Sequence, residues 1–230
     1  MEIEIWSDIV CGWCYLGKRR LERALEQFDG RDDVRVVHRS FELDPMRPAD
    51  GTESIQSVLR AKYGWTPAQV DAAGAQIQAL AAEEGLVYRG AGDGVIGNTR
   101  RAHELVHAAV AAGCGDAMLE RLYRAYFTEG RSVFDIESLV VLAVEVGLDE
   151  VDVRAALDDG RYAAAVEADN REARALGARG VPFFVIDRRF GVSGAQPVEV
   201  FVETLRRASE ASKARSANDA DRATVSGEPA

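Results

Sequence analysis

Apolar residues alternate over residues 2 to 6, with Ile3 and Ile5 on one side, and the Ser7-Asp8 turn signal separates this predicted strand from Cys11-Gly12-Trp13-Cys14. From Cys14 to Phe28 the period becomes helical. Leu16, Leu21, Ala24, Leu25 and Phe28 recur on one face until Asp29-Gly30 stops the pattern. Val34, Val36 and Val37 supply a second strand, which runs on to Phe41 and is closed by Asp44-Pro45. The chain thus opens as strand, helix, strand, with a CxxC at the helix N-terminus.

From about Pro48 the texture becomes a long series of amphipathic helical stretches in which strand signals nearly vanish. Thr66-Pro67 is a cap followed by proline at the first helical position, and it opens a run that ends at Gly85. Asn98-Thr99 opens another, carrying Leu105, Val106 and Val110 to Gly113. Further helices are predicted at about 116 to 129, 135 to 146, 149 to 158 and 161 to 176. Near Gly180 the texture reverses. Val181-Pro182-Phe183-Phe184-Val185-Ile186 predicts a buried strand, Asp187-Arg188-Arg189 a turn and Phe190-Gly191-Val192 the second arm of a hairpin. A last helix spans Pro197 to Ala208, with Val198, Phe201 and Leu205 on one face. Residues 211 to 230 hold one large aliphatic residue, Val225, and are expected to form a disordered tail.

Composition narrows the class of function. An apolar fraction of 47% with 29% charged residues fits a folded globular chain. The net charge of -10 argues against tracking nucleic-acid phosphates and against anionic membrane surfaces. The aliphatic run Leu139 to Val144 falls far short of the ~18 residues of a membrane-spanning helix. The opening Met-Glu-Ile-Glu-Ile-Trp has neither a basic nor an apolar secretory region, so the expected compartment is the reducing cytoplasm, where paired cysteines are informative.

Three cysteines occur: Cys11, Cys14 and Cys114. The thiolate is the nucleophile in disulfide exchange, so a redox cysteine needs a stabilised anion and access to a partner sulfur. Cys11 stands just ahead of the predicted helix, where unpaired N–H groups and the positive end of the dipole favour an anion. Cys14, one turn further in, is expected to be shielded. Cys11 therefore attacks, and Cys14 resolves the mixed disulfide. The alternative is half a zinc site completed by His103 and His107, but these stand much further along the chain than the ~12 to 15 residues of compact zinc modules. Neither a metal nor an organic cofactor is expected. Gly180-Val181-Pro182, just before an apolar strand, marks an X-Pro bond at a strand start.

The order of parts resembles the thioredoxin-like α/β fold with a large all-helical insertion found in the DsbA family. That resemblance sets a domain over 1–210, with the insertion at about 48–177. Asp8-Ile9-Val10-Cys11-Gly12-Trp13-Cys14-Tyr15-Leu16-Gly17-Lys18-Arg19-Arg20, with Phe41-Glu42-Leu43-Asp44-Pro45, Gly180-Val181-Pro182-Phe183-Phe184-Val185 and Ser193-Gly194-Ala195-Gln196, resembles its cytosolic FrnE-like branch. The resemblance implies that Cys11 is the nucleophile, Cys14 the resolving thiol and Pro182 a cis proline beside them. It also implies that the Val181 backbone pairs with an extended substrate. Partners are then protein thiols and disulfides or glutathione. Asn98 falls in the part of the insertion that resembles the family's cover over the site and is a candidate substrate contact. Gly12 stands where such branches commonly carry proline, and glycine is expected to loosen that turn. Trp13 reads either as an apolar contact for substrates or as an aromatic packing the helix start.

Two enzyme classes share this architecture. Kappa-class glutathione transferases and 2-hydroxychromene-2-carboxylate isomerases look similar but usually place serine where this chain has Cys11, so the paired thiols favour redox chemistry. A chaperone-like binding role for the helical insertion is the non-enzymatic rival. Gly92-Asp93-Gly94-Val95-Ile96-Gly97 fits G-x-G-x-x-G but follows a helix and only Leu86-Val87-Tyr88, so it reads as a loop feeding the Asn98 cap. His38, His103 and His107 read as packing or surface residues, and Cys114 as an inert thiol.

Overall fold

The computed structural model describes residues 1–90 and 94–225, with side chains as far as residue 215. Strand β1 (Glu2–Ser7) is central because its residues are buried on both faces, Ile3 and Ile5 to one side and Glu4 and Trp6 to the other. It pairs in parallel with β2 (Arg35–Ser40), Ile5 opposite His38, and antiparallel with β5 (Phe183–Ile186), Trp6 opposite Phe183. β6 (Phe190–Ser193) completes the order β2-β1-β5-β6. Parallel neighbours need a crossover, and α1 (Gly12–Glu26) is that crossover between β1 and β2.

Helix α1 and the C-terminal helix cover one face of the sheet. Ile3, Ile5, Leu21, Ala24, Phe184, Ile186, Phe201 and Leu205 form that core. On the other face Trp6, Phe41 and Val185 meet Ala173, and the Trp6 indole N–H donates to the Asp169 carbonyl at 3.0 Å. Glu4, 1% exposed, is tolerated there because Arg39 and Arg188 pair with it. Arg188 and Asp187 turn the hairpin at φ 55° and 49°, in the left-handed region. Asp187 is held by accepting the Glu2 N–H at 2.7 Å.

Between β2 and β5 the chain builds a second, helical layer. After β3 (Glu53–Ser54) come α2 (Ile55–Tyr63), α3 (Pro67–Glu83) and β4 (Val95–Ile96). They are followed by α4 (Arg100–Ala111), α5 (Gly115–Tyr123), α6 (Ile136–Glu145), α7 (Glu150–Asp158) and α8 (Ala163–Ala175), the last of which packs on the sheet. Thr66 and Gln69 form a capping box at α3, and Asp135 and Asp149 cap α6 and α7. The insertion has its own core around Leu105, Met118, Leu122, Tyr123, Leu139 and Leu142, and Cys11, Cys14 and Tyr15 belong to this core rather than to that of the sheet.

The structure departs from the sequence pattern in four places. The insertion is not wholly helical: Glu53–Ser54 and Val95–Ile96 form a short antiparallel ladder, too brief to leave a periodic signal. The helix expected over 116 to 129 ends at Tyr123 and continues as a wider π turn over Arg124–Glu129, leaving the Phe127 carbonyl to accept the Arg89 N–H at 2.8 Å. β5 starts at Phe183, after the Val181–Pro182 step. The last helix, α9 (Val198–Val225), does not give way to disorder at 211. Its buried stripe ends at Ala208, but no glycine or proline stands between there and Val225, and Ala, Arg and Lys sustain the helix. Residues 226–230 of the expected tail lie outside the described residues, as do Gly92 and Asp93 of the glycine motif.

Candidate redox site

Cys11 is the N-cap of α1. Its extended backbone (φ -91°, ψ 106°) lets its carbonyl accept the Cys14 N–H at 2.9 Å, and its own N–H donates to the Asp8 carbonyl at 3.1 Å. No side chain caps this helix and no acidic residue stands in its first turn, so the Cys11 sulfur stands at the positive end of the helix dipole. Cys11 and Cys14 are both free thiols, 8% and 2% exposed. Burial pushes the Cys14 thiol well above the usual cysteine range, and a hydrogen bond and charge interaction with Cys11 push it further. Cys14 therefore holds its proton beyond the usual thiol range.

The Cys11 thiol reaches the Val181 carbonyl at 3.6 Å, and the Val181–Pro182 peptide bond is cis. The Pro182 carbonyl accepts the Gly194 N–H at 2.8 Å, which ties this corner to the end of the hairpin. Gly17 lets α1 seat against it: a Cβ there would stand 2.9 Å from Pro182 Cγ and 3.2 Å from Phe184 Cζ. Gly12 is not a loose turn. A Cβ on it would meet Ile77 Cδ1 at 2.9 Å, and the Tyr88 hydroxyl donates to its carbonyl at 2.7 Å. The looseness expected from its residue type is removed by packing from the insertion.

An aromatic wall lies beside the thiols. Tyr15 stacks on Tyr123 at 4.9 Å and on Tyr88 at 5.8 Å, and Tyr88 stacks on Phe127 at 4.8 Å. Glu120 fixes α1 to α5 by accepting from Tyr15 Oη at 2.7 Å, Arg19 at 2.8 Å and Lys18 at 3.1 Å. Burial, and then the Glu120 carboxylate, push the Tyr15 phenol up to about 12. Below the loop, buried Asp8 faces His103 Nε2 at 3.3 Å and accepts the Leu43 N–H at 2.8 Å. His107 instead faces Asp169 at 3.1 Å and Ser40 at 3.2 Å, so the two histidines serve different places.

Cys11, Cys14, Val181 and Pro182 therefore come together, and Trp13, 41% exposed, stands in solvent on the same helix start. Asn98 is not brought to the thiols by any hydrogen bond. Its amide donates to the Arg47 carbonyl at 2.7 Å and accepts the Arg100 N–H at 2.9 Å, and it lines a separate cavity of about 310 Å³ with Arg100, Glu104 and Phe134. It braces the turn that leads into α4, whose N-cap is Thr99. Cys114 begins α5, half-buried at the rim of the insertion core. Sequence reasoning missed Tyr88, Tyr123, Phe127 and Asp8 as site residues, and only Asp8, inside the cysteine motif, carried a local signal.

Residues 2–206 match the family described as DSBA-like thioredoxin domain. A curated relative from Bacillus subtilis (strain 168), the uncharacterized protein YwbO, is 30% identical over 162 residues, 70% of this chain and 74% of the relative. Among solved structures, a probable DsbA oxidoreductase from Streptomyces coelicolor is 53% identical with a TM-score of 0.87, over 90% of this chain and 89% of that one. The cytosolic disulfide reductase DsbM from Pseudomonas aeruginosa with GSH is 24% identical with a TM-score of 0.60, over 90% and 100% of the two chains, a likeness of fold alone.

Proposed function

The chain belongs to the DSBA-like thioredoxin family, and from that premise we propose that it exchanges thiols and disulfides through a Cys11/Cys14 redox pair. The observation that carries this reading is the pair itself. Cys11 heads α1 with its sulfur turned to the Val181 carbonyl, and Cys14 is buried one turn behind it with its proton retained. Cys11 attacks a substrate disulfide, the substrate's leaving sulfur departs as a thiol, and a mixed disulfide forms on Cys11. Cys14 then attacks Cys11, closing the intramolecular disulfide and releasing the second substrate thiol. Run backwards, the same steps oxidise a substrate dithiol, so one site serves reduction, oxidation or isomerisation according to the partner couple.

The substrates are protein thiols and disulfides or glutathione, the ligand present with the Pseudomonas reductase. The Val181 backbone pairs with an extended substrate segment and exposed Trp13 gives it an apolar contact. We place the activity in the cytoplasm; no helix among the described residues is long and apolar enough to cross a membrane. The test is equilibration in glutathione buffers of defined ratio followed by mapping of the thiols. A Cys11–Cys14 disulfide that forms and reopens with the ratio supports the reading, and no such bond across the accessible potentials overturns it.

A further inference from the structure

The cavity beside Asn98 lies between two helix ends of opposite polarity. One wall is the start of α4, at Arg100, Arg101 and Glu104, and another is the end of α7, at Leu157 and Asp158. The N-cap Thr99 offers no side chain to the first turn of α4, and Asn98 Oδ1 takes only the Arg100 N–H, so the N–H groups that follow keep their pull on an anion. Arg101, half-buried at that wall, forms no ion pair among the described residues. Glu104 stands one turn further in. It is 4% exposed, and its Oε2 has no hydrogen-bond partner. A buried carboxylate ordinarily carries a paired cation or a set of donors, because its lost hydration is otherwise uncompensated. Arg101 and Glu104 are three residues apart on one face of α4, close enough to pair, yet they do not. Arg100 is taken instead by Glu42 and Glu167. Burial holds the Glu104 carboxyl above the ordinary range, against the pull of Arg100 and Arg101. From the other wall come the negative end of the α7 dipole and the exposed Asp158 carboxylate.

We propose that this cavity binds an α-amino-acid head group, with its carboxylate at the first turn of α4 beside Arg101 and its ammonium between Glu104 and Asp158. The walls separate charge in the sense that such a group needs. Donors and a cation stand where α4 opens, an unpaired carboxylate lies one turn deeper, and the end of α7 favours a cation. The ammonium gives Glu104 the partner that the fold withholds. A plain anion would meet that carboxylate with nothing to offer it, and a plain amine would leave Arg101 and the first-turn N–H groups unused. The volume of about 310 Å³ is at the small end of ligand pockets and admits a whole amino acid. Free amino acids carry this head group, and so do γ-glutamyl peptides such as glutathione. The lining residues include neither cysteine nor Val181 and Pro182, so this site and the redox reading stand independently.

The test titrates the full chain with L-alanine and with S-methylglutathione, which carries the head group but cannot exchange disulfides, and follows the backbone amides of α4 by NMR. Saturable shifts at Arg101 and Ala102 are expected. Alanine amide, which lacks the carboxylate, and N-acetylalanine, which lacks the ammonium, are each expected to bind about tenfold more weakly, the weight of one hydrogen bond to a charged group. Tighter binding of S-methylglutathione assigns the site to γ-glutamyl peptides and tighter binding of alanine assigns it to free amino acids, and either order supports it. Glu104→Gln keeps the shape without the buried charge, and it is expected to unfold in urea no earlier than the parent and to lose about tenfold in affinity for the tighter ligand. Should it fail to fold, Arg101→Gln changes a half-buried residue with no ion pair and is expected to lose as much. Amides that do not shift with either ligand, alanine amide binding as well as alanine, or variants binding as tightly as the parent overturn the inference. Neither variant is expected to alter disulfide exchange, so a parent that exchanges none overturns the redox reading alone.

Discussion

The Cys11 sulfur lies 3.6 Å from the carbonyl oxygen of Val181, a contact between the start of α1 and the segment leading into β5. In the dithiol the Cys11 S–H donates to that oxygen. Once Cys11 is joined to a substrate sulfur it has no hydrogen left to donate, and the oxygen is free to accept a substrate N–H. A peptide disulfide methylated on the backbone nitrogen that meets Val181 is therefore expected to lose about fivefold to tenfold in kcat/KM, the worth of one neutral hydrogen bond. Parallel kinetics with the unmethylated peptide check this, and equal values would remove the backbone-pairing role of Val181.

Cys14→Ser removes the resolving sulfur and leaves Cys11 in place. The variant is expected to accumulate a mixed disulfide on Cys11 that persists until an external thiol is added. Intact-protein mass spectrometry followed by peptide mapping reads both the mass and the position. An adduct that clears as fast as in the parent would show that Cys14 does not resolve it.

Gly17→Ala sets a helix preference against packing. Alanine gains about 1 kcal/mol of helix propensity in an interior position. Its Cβ would stand 2.9 Å from Pro182 Cγ, a ring atom with no room to swing away, and overpacking of this kind costs about 1–3 kcal/mol. The cost outweighs the gain. A lower urea midpoint is expected, together with slower exchange because α1 is pushed from Val181. A variant more stable than the parent would mean that the corner yields freely.

Alkaline pH is expected to destabilise the dithiol form. Cys14 is raised above the usual thiol range, and Tyr15 is raised to about 12, both chiefly by burial. Each binds its proton more tightly when folded, so its contribution is fully present below the unfolded value and is lost as pH rises through the folded one. The loss therefore starts near the ordinary thiol pKa of about 8.5 and continues through that of tyrosine, about 10. Urea midpoints taken across this range are expected to fall in the parent and to fall less steeply in Cys14→Ser. Identical slopes would contradict the raised state of Cys14.

The sheet and the thiols were legible because their signals are local. Ile3 and Ile5 alternate, Leu16, Leu21 and Ala24 keep helical spacing after the CxxC, and Val181-Pro182 precedes an apolar run. The rest of the site was not legible because it is assembled from afar. Tyr88, Tyr123 and Phe127 read as scattered aromatics until the insertion folds them around Tyr15, and His103 has no motif linking it to Asp8. Asn98 was drawn toward the site by resemblance, whereas its amide is taken up by Arg47 and Arg100. By residue type the turn at Gly12 reads as loose, yet Ile77 of α3 and Tyr88 of the loop after it pack against it, and neither is encoded in the CxxC segment. The length of α9 followed from the absence of a helix breaker rather than from burial, and hydrophobic pattern does not report that.

The division of labour between the two sulfurs is tested most directly by mixing the dithiol protein with oxidised glutathione, quenching at intervals and mapping every cysteine. The account predicts that a glutathione adduct appears first on Cys11 and then gives way to a Cys11–Cys14 disulfide as reduced glutathione is released. An adduct that appears first on Cys14, or one on Cys11 that never converts, would contradict it.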